Sequence, residues 1–232
     1  MLSLCNVSKT VGKRQVLSRI SLDVKKGTIV SVVGSNGAGK TTLFRILAKA
    51  MDCTCGEIII DGIPITSDMW RRLIGWVDET EHVIDEFSVL EFISFISAMR
   101  ERMCDQTEVN QLLKEFNIWD YRFQRIAVLS QGMKKKVAIV AALVGHPKLL
   151  ILDEPTNALD TSATISLKKQ IMFEKERGSI ILLSSHVLDF VERISDQIVF
   201  LHKGHLKGIV NSGTVDIEEM YNLLCVDGDF CE

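Results

Sequence analysis

The 232-residue chain lacks long hydrophobic runs. Its longest stretch free of Asp, Glu, Lys and Arg covers residues 27–39, 13 residues of which four are glycine. A bilayer-spanning helix needs roughly 20 apolar residues, so no segment is expected to cross a membrane despite a mean hydropathy of +0.18. An excess of charge of one sign is also missing. Lys and Arg number 27 and Asp and Glu 30, a formal charge of -3 that gives no electrostatic reason to expect a nucleic-acid partner. The densest basic run, Lys134-Lys135-Lys136, is short and reads as a solvated helix face. Cysteine is sparse, with Cys5, Cys53, Cys55, Cys104, Cys225 and Cys231 scattered along the chain. Cys53-Thr54-Cys55 has one intervening residue rather than the two of a zinc site, so reduced structural thiols are expected instead of a metal. Met1-Leu2-Ser3-Leu4 has no basic segment of the kind that opens a signal peptide. No internal repeat or low-complexity segment stands out. What is present, 47% hydrophobic and 25% charged residues, is too apolar for disorder and long enough to bury a sizeable core.

Short β-like runs come first, at residues 2–7, 16–24 and 28–33. The third is uninterrupted by charge, as a strand buried on both faces should be. A helix is expected over 41–50, strands at 57–60 and 74–77, and a turn at Asp61-Gly62 between the two strands. From about 88 to 144 the pattern turns helical. Ser88 and Glu91 form a capping-box pair ahead of Phe92, Phe95, Ile96 and Met99. Thr107 can cap a second helix running to 116, and Ser130 can start a third running to 144, ended by Pro147. Strand and helix then alternate: 149–152, a helix over 161–177, a strand at 180–183, a helix over 186–193, and two strands flanking the turn at 202–205. Alternation of this kind implies an α/β sheet with right-handed crossovers.

Gly34-Ser35-Asn36-Gly37-Ala38-Gly39-Lys40-Thr41 satisfies the phosphate-loop pattern G-x-x-x-x-G-K-[ST] between a buried strand and a helix that Thr42 continues. Its glycines let the backbone wrap around phosphate, with N–H groups and a helix N-terminus facing the anion. Lys40 would neutralise phosphate charge and the Thr41 hydroxyl would ligate Mg²⁺. Leu149-Leu150-Ile151-Leu152-Asp153-Glu154 is an apolar strand ending in two acids, Asp153 toward Mg²⁺ and Glu154 placed to polarise a water for attack on the γ-phosphate. The fold class is α/β, a P-loop NTPase core sheet.

Five ordered motifs now resemble one family. The phosphate loop, Leu129-Ser130-Gln131-Gly132-Met133, Leu152-Asp153-Glu154-Pro155, Asn157-Ala158-Leu159-Asp160 and Ser184-Ser185-His186 are similar to those of the ATPase subunits of ATP-binding cassette (ABC) transporters, over nearly the whole chain. The resemblance implies a RecA-like core (about 1–83 and 146–232), an antiparallel β subdomain and an inserted helical subdomain (about 84–145). It also implies ATP and Mg²⁺ as ligands, and a head-to-tail dimer in which Ser130 and Gly132 of one copy meet ATP held by the other. His186 would bond the γ-phosphate and hold the attacking water, and Asp160 would order the dimer interface. The ordinary roles of Ser130 and Asp160 as helix N-caps are compatible with this.

Three features, at four positions, depart from the family. The signature reads Ser-Gln-Gly-Met where Ser-Gly-Gly-Gln is usual. Val11 stands where the family stacks an aromatic on adenine and offers no π face. Glu79 replaces the glutamine that approaches Mg²⁺, so a charge enters that site. The expected activity is ATP hydrolysis powering a separate membrane permease, with the chain cytoplasmic and peripheral on the inner face of the cell membrane. The Ser-x-Gly-Met form, and the lack of a domain beyond Glu232, look like those of small two-component exporters. A permease is expected to dock near the apolar 87–99 segment. Competing readings are a soluble ABC-type ATPase acting on ribosomes or DNA and a weakly active regulatory subunit; a homodimer and a heterodimer are equally open.

Overall fold

The structure, a computed structural model, describes residues 1–80, 83–101 and 105–226. The chain opens with β1 (Leu2–Val11) and β2 (Arg14–Val24), followed by β3 (Ile29–Val33) and α1 (Lys40–Leu47). Then come β4 (Cys55–Ile60), β5 (Ile63–Pro64), the single turn α2 (Trp70–Leu73) and β6 (Ile74–Val77). Three helices follow, α3 (Val89–Met99), α4 (Gln106–Glu115) and α5 (Gln131–Leu143). The rest alternates: β7 (Leu149–Leu152), α6 (Thr161–Glu176), β8 (Ile180–Ser184), α7 (Leu188–Ile194), β9 (Gln197–His202), β10 (His205–Asn211) and α8 (Ile217–Tyr221).

Two sheets form. One is antiparallel with order β2-β1-β4-β5, and the other has order β10-β9-β3-β8-β7-β6, parallel except for β10. The period-two geometry of a strand splits the parallel sheet's side chains between two cores. Leu150 and Leu152 of β7, with Ile181 and Leu183 of β8, face the layer that includes residues of α3, α4, α5 and α6. Leu149, Ile151, Leu182 and Val199 face α1 and the antiparallel sheet. A smaller third core joins Val33, Ile198 and Phe200 to α7 and α8. Strands buried on both faces are nearly continuously apolar and free of charge for this reason.

The helices α3, α4 and α5 are inserted between β6 and β7, which are neighbours in the sheet. The capping box read from the sequence is present: Glu91 N donates to Ser88 Oγ at 3.3 Å and Ser88 N donates to Glu91 Oε2 at 2.7 Å. Thr107 is not the cap of α4. Asp105 takes that place, its Oδ1 accepting from Thr107 N at 2.8 Å, because a carboxylate satisfies the free amides of a helix start at least as well as a hydroxyl. The helix expected over 41–50 ends at Leu47, and Lys49 turns to φ +56. The helix expected from His186 starts only at Leu188, which leaves His186 on the preceding loop. The basic run at 134–136 is also corrected. Successive residues of a helix project about 100° apart, so these lysines diverge, and Lys135 and Lys136 are buried rather than solvated. Among the described residues, Cys5, Cys53, Cys55 and Cys225 are free thiols; Cys104 and Cys231 lie outside them. No helix among the described residues is long and apolar enough to cross a membrane.

Candidate nucleotide site

β3 delivers the chain into the 34–39 loop, and the packing behind that loop explains part of its glycine content. A Cβ on Gly34 would stand 2.1 Å from the Leu201 carbonyl oxygen of β9, so only glycine fits there. Gly39 ends the loop at φ +109 and forms the N-terminal boundary of α1, a conformation that L side chains rarely adopt. The loop and the first turn of α1, whose leading amides have no partner within the helix, thus border an opening of about 420 Å³. Gly37, Gly39, Lys40, Thr41, Thr42, Glu79, Asp153, Glu154 and His186 line this opening, with Asn36 and Ala38 beside them. Sequence reasoning missed two further lining residues, Arg14 and Val16 of β2. They belong to the antiparallel sheet, and no motif marks them.

Lys40 is buried and folds back over its own loop, donating to the Gly34 carbonyl at 2.7 Å and the Ser35 carbonyl at 3.3 Å. Burial lowers its pKa, while the carboxylates of Glu154, Asp153 and Glu79 oppose that shift. Both acids after β7 are buried as well. Asp153 Oδ1 accepts from Ser184 Oγ at 2.5 Å, and the main-chain N of Glu154 donates to the same hydroxyl at 3.0 Å. Ser184 therefore aligns the two acids from β8. Glu154 sits at φ +45, a strained backbone for a non-glycine residue that costs about 1–3 kcal/mol. Only 3% of its surface is exposed. His186 touches it twice: Nε2 lies 3.1 Å from Oε1, and the main-chain N donates to Oε2 at 3.3 Å. Burial raises the Glu154 pKa, and His186 is the largest influence opposing it. Strain, burial and a histidine partner thus converge on one carboxylate.

Six residues expected at the site are not among those lining this opening: Gly34 and Ser35, which begin the loop itself, and four that lie elsewhere. Val11 is 53% exposed at the end of β1. Ser130 is the N-cap of α5, its Oγ accepting from Met133 N at 3.4 Å. A Cβ on Gly132 would meet the Ala158 carbonyl at 2.6 Å, so the 129–133 segment packs against the loop that precedes α6. Asp160 is the N-cap of α6: it accepts from Ala163 N at 2.7 Å and from Ser162 Oγ at 2.8 Å, and pairs with Lys136 Nζ at 2.6 Å. That ammonium first, and then the two cap bonds, hold the Asp160 carboxyl far below the usual carboxylate range.

A family model described as ABC transporter matches residues 17–157, more than half of the chain. The chain belongs to the ABC transporter family. It is 32% identical over 225 residues to the lantibiotic transport ATP-binding protein SrtF of Streptococcus pyogenes, covering 96% of both chains. It is 29% identical to the glutamine transport ATP-binding protein GlnQ of Escherichia coli K12, covering 89% of each. Among solved structures, an ATP-binding subunit of an ABC transporter superposes with a TM-score of 0.89 at 29% identity, over 97% of this chain and 99% of that one. The dimeric structure of the bacterial ABC transporter cassette MJ0796 gives 0.83 at 26% identity, over 93% of this chain and all of that one. This ABC protein is the ATP-binding, ATP-hydrolysing subunit of a transporter, and the family pairs such subunits with each other and with membrane permeases.

Proposed function

We propose that this ABC ATPase turns over ATP at the 34–41 loop as one half of a head-to-tail pair, the Ser130 and Gly132 of each copy closing the opening of the other. One observation carries the reading: Lys40, Asp153, Glu154 and His186 line a single opening, and Ser130 and Gly132 do not. In this scheme Lys40 leaves the Gly34 and Ser35 carbonyls for the β- and γ-phosphates. Glu154 accepts the proton of the attacking water, which His186 helps to hold. Asp160 orders the interface. Val11 gives adenine an aliphatic contact only, so base selectivity is weak.

The residues present suit Mg²⁺. Asp153 Oδ2 is buried without a hydrogen-bond partner among the described residues, and Thr41 and Glu79 line the same opening. One or two carboxylates, a hydroxyl and substrate phosphates are the donor set Mg²⁺ takes. When bound, the ion neutralises phosphate charge; Asp153, Thr41 and Glu79 are the side chains that would hold it.

The permease-facing surface is a second opening of about 290 Å³ between β6, α3 and α5, lined by Trp76, Ile96, Met99, Ala138 and Ala142. Phe92, at 4% exposure, belongs mainly to the core, whereas Met99 is 57% exposed. An apolar groove at the sheet edge suits a helix from a membrane protein, and a permease bound there would hold the chain at the cytoplasmic side of the cell membrane. The Ser-x-Gly-Met signature and the similarity to a lantibiotic transport subunit favour export. A pull-down of the tagged chain from membranes tests the assignment: a co-purifying integral membrane protein is expected, and ribosomal RNA or DNA in its place overturns it. Sizing of Glu154→Gln with ATP then reads the pair, since a dimer of the pure chain means identical copies suffice and a monomer means a different ATPase chain completes the site.

A further inference from the structure

Lys135 of α5 is fully buried, and its ammonium donates across 57 residues of sequence to the Asp78 carbonyl at 2.9 Å, with the Glu79 carbonyl at 3.3 Å. A buried ammonium is costly even when hydrogen bonds satisfy it, and a methionine would fill similar space without that cost. What those bonds hold is the exit of β6. Asp78 is itself buried, accepts from Glu79 N through Oδ1 at 2.8 Å, and pairs through Oδ2 with Arg45 of α1 at 3.3 Å. The two residues are thus strung between the helix that follows the phosphate loop and the helix that starts at Ser130. Farther along, α5 lies on β6 so closely that a Cβ on Gly75 would stand 2.2 Å from the Ala142 carbonyl. Glu79 then projects into the nucleotide opening, where its carboxylate acts on Lys40.

We infer that Lys135 is a positioning residue: it fixes the backbone of Asp78 and Glu79 and thereby sets where the Glu79 carboxylate stands relative to the nucleotide and its metal ion. The inference rests on the reading that Glu79 faces that ion. It gives the second lysine of the basic run a task distinct from those of its neighbours, which pair with Asp85 and Asp160.

The test combines Lys135→Met, Lys135→Gln and Glu79→Gln with the Lys135→Met/Glu79→Gln double variant. Hydrogen exchange on the nucleotide-free protein reads the strut by itself. Loss of a charge-assisted bond should speed exchange of the Glu79 amide about tenfold or more in Lys135→Met, with the β7 amides unchanged and Lys135→Gln intermediate because it keeps a donor. The Mg²⁺ concentration for half-maximal ATPase and Mn²⁺–ATP binding by electron paramagnetic resonance read the consequence. Both should weaken in Lys135→Met while metal-free ATP affinity holds, and the double variant should be no worse than Glu79→Gln. Where Lys135→Met does not fold, Lys135→Gln supplies the same comparisons. Unchanged exchange at Glu79 overturns the inference. So does an equal metal effect of Lys135→Met in wild-type and Glu79→Gln backgrounds. If Glu79→Gln leaves metal dependence untouched, the reading of Glu79 fails, and the exchange rates alone decide for or against Lys135 as the strut.

Discussion

Replacing Glu154 with glutamine removes one negative charge and keeps the shape of the side chain, so it separates chemistry from architecture. The main-chain bond from Glu154 N to Ser184 Oγ does not involve the side chain and survives. The contact between His186 Nε2 and Oε1 keeps an amide partner. What is lost is the ability to accept a proton, a contribution of about 10²- to 10⁴-fold in rate for a placed general base. Steady-state phosphate release should fall by that factor, while ATP affinity measured by calorimetry stays within about threefold, because uniform binding is unaffected. The same substitution has a stability signature. The folded-state pKa of Glu154 is raised by burial. The folded state therefore holds the proton more tightly than the unfolded chain, and stability falls as pH rises from the unfolded value, about 4.3, through the folded one. Glutamine carries no such penalty, so Glu154→Gln should melt higher than wild type at pH 7, with the difference vanishing below about pH 4. Turnover within threefold of wild type would refute the assignment of Glu154 as base. A melting advantage independent of pH would refute the claim that burial of its charge is costly.

Lys40→Ala should weaken ATP binding by at least about tenfold, the value of a charge-assisted bond to phosphate, with the melting temperature little changed; isothermal titration checks it. Met99→Glu should abolish co-purification of the permease and leave ATP affinity intact, whereas Phe92→Ala should destabilise the whole fold by about 3–5 kcal/mol in denaturant titrations. Asp160→Ala should cost about 1 kcal/mol, the value of a helix N-cap. Because the Asp160 carboxyl is depressed in the fold, its stabilisation is present above the unfolded pKa of about 3.9 and lost as pH falls below it, so the two melting curves should converge in acid. Its side chain is more than half exposed, so solvent screening keeps the ion-pair part small, and salt should reduce it further.

The fold was legible where the chain carries strong local codes. The buried strands β3, β7 and β8 announce themselves because a strand covered on both faces has no charged position to interrupt it. The cap of α3 was readable because Ser88 and Glu91 satisfy each other's backbone within one turn. Helix ends were less legible: Asp105 outcompeted Thr107 as a cap, and a left-handed Lys49 stopped α1 early, both local choices among near-equal alternatives.

By itself, the sequence determined which reactive side chains are available and in what order. The spacing from Gly34 to Thr41 and the acid pair after an apolar strand carry the roles proposed for them, since phosphate binding and water activation require those residue types in that order. Only the tertiary structure decided which groups meet. It brought Ser184, Asp153, Glu154 and His186 into one bonded set, and added Arg14 and Val16 from a different sheet. It also divided three identical lysines among Asp85, the Asp78 and Glu79 carbonyls, and Asp160. The physical reason is that a helix turns about 100° per residue. Neighbours in sequence then face different neighbours in space, and charge composition carries no record of which carbonyl or carboxylate waits on each side.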